Sequence, residues 1–279
     1  AMTNYCGGFF VFGISYFYVM ILTSADQLKV APKRIISLVP SQTELLYSLS
    51  LEEETIAITK FCIHPKQWFK NKPKIGGTKT VDIDKVNALK PDLIIANKEE
   101  NVKEQVEMLA TLYPVWVTDI NNLEDAYQMI EDIGKLTRKE KAAGLLNDKI
   151  KSKFNIYIQN NIVINSIPTI YLIWKEPYMT VGSDTFISNM MGKACLKNVF
   201  SSHLRYPVIT VDQIKSTDCK LILLSSEPYP FKQKHIDALQ KELPGITIRL
   251  VNGEMFSWYG SRLLLVPDYF KELIEDLKI

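Results

Sequence analysis

The chain has 279 residues, enough for two α/β units of ordinary size. Hydrophobic residues make up 47% and charged residues 23%, and the formal charge of +2 comes from scattered Lys and Arg that form no stripe for nucleic acid, which is set aside as a partner. The four cysteines (Cys6, Cys62, Cys195, Cys219) include no CxxC pair, and three histidines (His64, His203, His235) are too few for a His-rich metal site.

Residues 1–31 open on an apolar run over 9–22, short for a bilayer span. Two readings stay open. The run has the length of a signal-peptide core, followed by the small residues Thr23, Ser24 and Ala25, although no Lys or Arg precedes it. It also reads as a buried first strand over 16–22, hairpinned onto the next.

From residue 32 to 122, short apolar runs alternate with helical patterns. Strands are predicted over 34–39, 55–59, 92–96 and 115–117, with helices over 43–49, 84–89 and 102–112. This alternation implies parallel βαβ units. Residues 123–160 contain no proline, and Ala126, Met129, Ile130, Ile133 and Leu136 recur at helical spacing. A helix of that length has no place inside a small lobe, so it is read as one continuous strut. The pattern restarts over 161–279, with strands at 169–173, 221–224 and 246–251 and helices at 185–191, 232–242 and 263–277. The halves share a register: 83–95 (IDKVNALKPDLII) aligns with 211–223 (VDQIKSTDCKLIL), placing Asp84 against Asp212.

Several segments carry recognisable chemistry. Residues 41–44 (SQTE) read as a capping box with Ser41 as N-cap, and 210–213 (TVDQ) as a second. Asp82 and Asp84 in one half, and Asp212 in the other, fall at helix starts, where the dipole favours negative charge. Asn101, with Glu104 three residues on, reads as a further cap. Cys62 and His64 follow a strand and could meet a ligand or metal, or form a nucleophile pair in an enzyme that handles a metallocofactor. No GxGxxG, HExxH, GxSxG or P-loop is present, Gly76-Gly77-Thr78 included, and this weighs against catalysis. Residues 253–262 (GEMFSWYGSR) place Glu254, Trp258, Tyr259 and Arg262 in one strand-end loop, suited to a large ligand with a polar rim, with Phe256 in the core. The strand-end loops at Trp174 to Tyr178 and 226–229, and the segment 203–207 before the capped helix, mix aromatic and charged residues in the same way, and the strand-end loop at 97–101 adds charged and amide ones.

The runs at 34–45 and 89–96, with the loop at 253–262, resemble the periplasmic binding proteins that have a single-helix hinge, most closely their cobalamin-binding branch. The resemblance covers about 32–277. It implies an α/β fold of two Rossmann-like lobes joined by one long helix, with a ligand cleft between them. It implies a monomeric, non-enzymatic, cofactor-free substrate-binding protein of an ABC importer, carrying a corrinoid, siderophore or haem. Such a protein works in the periplasm or on the outer face of the inner membrane. Phe61, Tyr206, Glu254 and Arg262 match the family's pocket in kind, whereas its tryptophans near Lys79 and at Asn97 are absent. Cys62, His64, Trp174, Tyr178, Arg205, Trp258 and Tyr259 complete the candidate ligand set, with Arg262, Arg205 and Tyr178 placed to meet an anionic ligand. Asp84 and Asp212 fall where the family docks on permease arginines. A bare metal ion does not fit so sparse a donor set. A cytoplasmic ligand sensor is a further reading if the first segment is a strand.

Overall fold

The structure, a computed structural model, describes residues 20–160 and 166–277. In the first lobe the elements run β1 (Ile21–Leu22), β2 (Ile35–Ser37), α1 (Pro40–Ser48), β3 (Thr55–Ile58), α2 (Lys66–Asn71), α3 (Ile83–Leu89), β4 (Leu93–Asn97), α4 (Lys103–Ala110) and β5 (Val115–Thr118). Two helices follow, α5 (Leu123–Thr137) and α6 (Glu140–Asn160). The second lobe runs β6 (Ile167–Leu172), β7 (Tyr178–Met179), α7 (Phe186–Lys193), β8 (Leu196–Asn198), β9 (Val208–Ile209), α8 (Val211–Lys215), β10 (Leu221–Ser225), α9 (Gln233–Glu242), β11 (Thr247–Val251), α10 (Glu254–Ser257) and α11 (Val266–Leu277).

Strands β4 and β10 are buried along their whole length, as expected of central parallel strands covered on both faces. The first sheet has the order β1-β5-β4-β2-β3 and the second β11-β10-β6-β8, all pairs parallel. The run β5-β4-β2-β3 therefore repeats as β11-β10-β6-β8. Within it, α3 leads into β4 as α8 leads into β10, and the aligned sequence register is a structural repeat. Both helices are capped: Asp82, one position before the first turn, accepts at Oδ1 from the Lys85 N–H at 3.1 Å, and Thr210 and Gln213 form the expected reciprocal capping box.

The predicted strut over 123–160 is not one rod. Arg138 adopts a left-handed conformation (φ 58°), which ends α5, and α6 folds back along it. The Asn147 side chain donates to the Tyr127 carbonyl at 2.9 Å. The reason lies in the sequence between the apolar stripes: 138–141 (RKEK) has nothing to bury, whereas folding back lets Ala126, Ile130 and Ile133 share a core with Ala143, Leu146 and Ile150. The far end of α6 reaches the second lobe, where Tyr157 packs against Phe270 with ring centroids 6.2 Å apart. One core thus runs from the inner face of the first sheet through α5 and α6 to the inner face of the second, and a smaller core covers the outer face of each sheet.

Two further expectations change. Ile21 and Leu22 pair parallel with Val115 and Trp116 instead of forming a hairpin, and residues 9–19 of the apolar run lie outside the described residues. The last predicted helix is a 3-10 turn at Ser261–Leu264 followed by α11. No helix among the described residues is long and apolar enough to cross a membrane.

The α5–α6 crossing depends on a missing side chain. A Cβ at Gly134 would stand 2.6 Å from the Ala143 Cβ, whereas one at Gly144 meets nothing within 4 Å. Gly134→Val is expected to lower unfolding free energy by about 1–3 kcal/mol through overpacking, and Gly144→Ala to raise it by roughly 0.5–1 kcal/mol. Urea titrations of the two variants check both signs.

Candidate functional site

The strands of both sheets direct their carboxyl ends toward a common seam, the position at which open α/β sheets bind ligands. The first lobe contributes α1, the 59–64 turn, the 76–80 turn and the 98–101 turn. The second contributes the 201–206 loop, the 226–229 turn and residues 252–262.

At the centre lies Arg262, with only 7% of its side chain exposed. Its Nε and Nη2 donate to the two carboxylate oxygens of Glu44 at 2.9 and 2.7 Å, and its Nη1 donates to Glu254 Oε2 at 2.6 Å. The guanidinium also lies 4.8 Å from the centre of the Trp258 ring. Glu254 reaches back across the seam to His64 Nε2 at 3.2 Å, and the Trp258 ring meets the His64 ring edge-on at 5.5 Å. Glu44 and His64 belong to the first lobe, and Glu254, Trp258 and Arg262 to the second, so this network joins the two.

The expected capping box at 41–44 does not form. Pro40 occupies the first helical turn, Val39 is the N-cap, and neither Ser41 nor Glu44 caps. Glu44 is therefore free to hold Arg262. Thr43 turns inward and bonds the Val39 carbonyl at 2.9 Å, Ser37 Oγ at 2.8 Å and Cys62 Sγ at 3.1 Å. Cys62 is fully buried with Thr59 as a second hydroxyl neighbour at 3.2 Å, and burial pushes its thiol pKa up. A buried thiol held protonated neither attacks a substrate nor touches a ligand, which removes Cys62 from the site and ends its reading as a nucleophile. No group of three or more His, Cys, Asp or Glu among the described residues could hold a metal ion.

A second contact bridges the outer seam. Glu99 pairs with Arg205 and accepts from the Tyr206 hydroxyl at 2.7 Å. Burial, reinforced by the Glu99 charge, lifts the Tyr206 phenol well above its ordinary range, so it stays a donor. The turn that carries Glu99 is built on two buried asparagines. Asn97 Oδ1 accepts from the Glu99 and Glu100 N–H groups at 2.9 and 3.1 Å, and its Nδ2 donates to the Thr118 carbonyl at 3.0 Å. Asn101 Oδ1 accepts from the Asn97 N–H at 2.9 Å, and its Nδ2 donates to the Thr78 carbonyl at 3.0 Å. Asn101 thus braces this turn instead of capping α4, whose N-cap is Val102.

The second lobe has a counterpart at Glu227. Its N–H donates to Ser225 Oγ at 3.3 Å, and its Oε1 accepts from Ser257 Oγ at 2.7 Å and Trp258 Nε1 at 2.9 Å. Gly253 permits this approach, since a Cβ there would stand 2.4 Å from Ser225 Oγ and 2.6 Å from Glu227 Cγ. Burial raises the Glu227 carboxyl, with the Glu254 charge adding to it and the Ser257 bond opposing it. Glu100 is raised by burial too, against the pull of Lys79 and with the help of Glu227 and Glu99.

The remaining candidates divide. Phe61 is exposed, its ring backed by Gly77, where a Cβ would come within 3.1 Å of it. Trp174 is exposed at the carboxyl end of β6 and packs edge-on against Tyr229 at 5.6 Å. Trp258 and Tyr259 are buried, not open stacking faces; Tyr259 packs edge-on against Phe186 at 5.6 Å. Tyr178 sits on β7 and packs against the outer core of the second lobe, apart from the Arg262 network. The expected reception of an anion by Arg205, Arg262 and Tyr178 is not what the side chains offer, because both arginines are already paired with carboxylates. Asp84 and Asp212 are exposed in the first turns of α3 and α8, at equivalent places in the repeat. Reading the sequence missed Glu44, Glu99, Glu100 and Glu227, although the alignment of Asp84 with Asp212 also sets Glu99 against Glu227 and Asn97 against Ser225.

The family described as "Periplasmic binding protein" matches residues 35–246. A vitamin B12-binding protein of Pectobacterium carotovorum subsp. carotovorum is 25% identical over 240 residues, 84% of this chain and 85% of that one. An uncharacterised ABC transporter substrate-binding lipoprotein of Bacillus subtilis, YvrC, is 29% identical over 196 residues, 67% of this chain and 62% of that one. Among solved structures, the periplasmic vitamin B12 binding protein BtuF of Vibrio cholerae superposes with a TM-score of 0.75 at 18% identity, covering 88% of this chain and 98% of that one.

Removing the cation at the centre of the seam leaves two carboxylates with no equal partner. Arg262→Met is expected to cost about 3–5 kcal/mol of stability, the penalty of stranding buried charge. Glu44→Gln, which keeps an acceptor, should cost less. Urea unfolding of both variants measures the difference.

Proposed function

This chain belongs to the periplasmic binding protein family, and from that premise we propose that it is the substrate-binding protein of an ABC importer. It holds a cobalamin-like corrinoid or a chelated-metal ligand between its lobes and delivers it to a permease. The observation that carries this reading is the seam itself: two repeated parallel sheets whose strand ends converge on one set of aromatic and charged side chains. Exposed Phe61 and Trp174 offer apolar faces, and Tyr206 and Glu254 offer polar ones. The relatives named as vitamin B12-binding proteins favour a corrinoid over other large ligands.

The protein acts by binding and release, without catalysis. Cys62 is walled in, Glu44 and Glu254 are held by Arg262, and Glu99 is held by Arg205. It works outside the cytoplasmic membrane, a placement supported by relatives named as ABC transporter lipoprotein and as periplasmic binding family. Asp84 and Asp212, exposed in equivalent first helical turns, are the posts this reading assigns to basic residues of the permease, one per lobe. The protein is a monomer in this reading.

Titration with cobalamin, haem and a siderophore panel, followed by tryptophan fluorescence, tests the ligand class. Saturable quenching by a corrinoid is expected, weakened about tenfold (roughly 1.4 kcal/mol) by Phe61→Ala; silence from the whole panel would refute the reading. The docking posts are tested separately. Asp84→Arg with Asp212→Arg should abolish uptake in cells expressing the cognate permease while leaving ligand affinity intact, and retained uptake would dismiss them.

A further inference from the structure

The seam carries an excess of negative charge that its own cations do not meet. Glu44, Glu99, Glu100, Glu227 and Glu254 converge on it, against Arg205, Arg262 and Lys79, with His64 at one margin. Both arginines are already committed: Arg262 to Glu44 and Glu254, Arg205 to Glu99 and Asp184. Lys79 donates to the Glu99 carbonyl. The Glu100 carboxylate is half-buried, yet it has no hydrogen-bond or ion-pair partner among the described residues, and the charges around it are Lys79, Glu99 and Glu227. The Tyr259 hydroxyl is buried within the field of Glu100 and Glu99, with the Ser41 and Gln42 side chains as its polar neighbours.

This arrangement is built, not incidental. Glu99 and Glu227 occupy equivalent places in the two lobes, after β4 and β10. Each is set by a side-chain acceptor two residues earlier, Asn97 Oδ1 or Ser225 Oγ, that takes its backbone N–H. The buried Asn97 and Asn101 pair fixes Glu100 in the same turn. Polar scaffolding of this kind is costly to bury unless every member is satisfied. Here it ends in a carboxylate with no partner. An anionic ligand would have to strip the arginines from four carboxylates, whereas a cation supplies what the seam lacks.

We propose that the ligand bound between the lobes carries net positive charge, and that Glu100 and Glu227 are the residues that select for it. This inference rests on the substrate-binding reading above and narrows its ligand class to cationic complexes over anionic chelates. Because burial and mutual repulsion hold both carboxyls above the usual range, their ionised, cation-binding form is lost as pH falls through those raised values. Cation affinity should therefore decline at a higher pH than an ordinary carboxylate would dictate.

The test uses two matched pairs of probes on the full chain, read by calorimetry at low salt and neutral pH, where the carboxylates are more fully ionised than in acid. Aquocobalamin is a cation and cyanocobalamin is neutral on the same ring. Hexaamminecobalt(III) and hexacyanocobaltate(III) are inert octahedral ions of opposite charge. The wild type is expected to favour aquocobalamin by about tenfold or more and to bind the hexaammine ion but not the hexacyano ion. Both preferences should collapse in Glu100→Gln/Glu227→Gln. If neither corrinoid binds, the corrinoid reading fails while the cobalt ions still decide the charge question. Equal affinity within the corrinoid pair, a preference for the hexacyano ion, no selectivity between the cobalt ions, or selectivity that survives in the double variant would each overturn the proposal.

Discussion

A guanidinium cannot be buried alone, and Arg262 is buried. Its solution is to take one carboxylate from each lobe, Glu44 with two oxygens and Glu254 with one, while the Trp258 ring covers it. This constraint fixes more than one side chain. It places α1 of the first lobe against the loop that follows β11 of the second. It also demands that Pro40, not Ser41, begin α1, so that Glu44 falls one turn in and faces the seam. Gly260, at φ 103° and close to the Ser41 carbonyl, lets the 252–262 loop come that near.

The two lobes meet in two different ways. Beneath the seam, α5 and α6 merge the inner faces of both sheets into one apolar core, from Leu45 and Leu46 through Ile150 and Phe154 to Phe256 and Phe270. Burial there is non-directional and hard to give up in part. Across the seam the contacts are ionic and hydrogen-bonded: His64 to Glu254, Glu44 to Arg262, Arg205 and Tyr206 to Glu99. The shared apolar core is therefore the costlier of the two contacts to open, and the polar seam the cheaper.

Much of this could be read from the chain. The strands and their parallel order follow from short apolar runs bounded by turns, and the aligned segments at 83–95 and 211–223 mark equivalent elements. What could not be read depends on partners distant in sequence. The charged run at 138–141 suits a solvated helix as well as a turn, and α6 doubles back only because Ala143 finds the gap at Gly134. Glu44 looks like a cap until Arg262, 218 residues away, claims it. Cys62 and His64 stand two residues apart, yet one turns into the core beside Thr43 and the other crosses to Glu254. Trp258 and Tyr259 look like stacking platforms because aromatic rings in a strand-end loop suit a ligand and a core equally well, and only packing against His64 and Phe186 decides it.

The ionic contacts differ in depth, and depth sets the order in which they yield. Arg205 is 48% exposed, so its pair with Glu99 is screened and worth roughly 0–1 kcal/mol. Arg262 is 7% exposed, and breaking its pairs strands charge at a cost of about 3–5 kcal/mol. The outer contact can exchange with solvent or with a ligand at little cost while the inner one holds. Displacing Arg205 would uncover Glu99 and leave the Arg262 pairs in place, so the two arginines differ in how readily they give up their carboxylates, by the depth at which each is held.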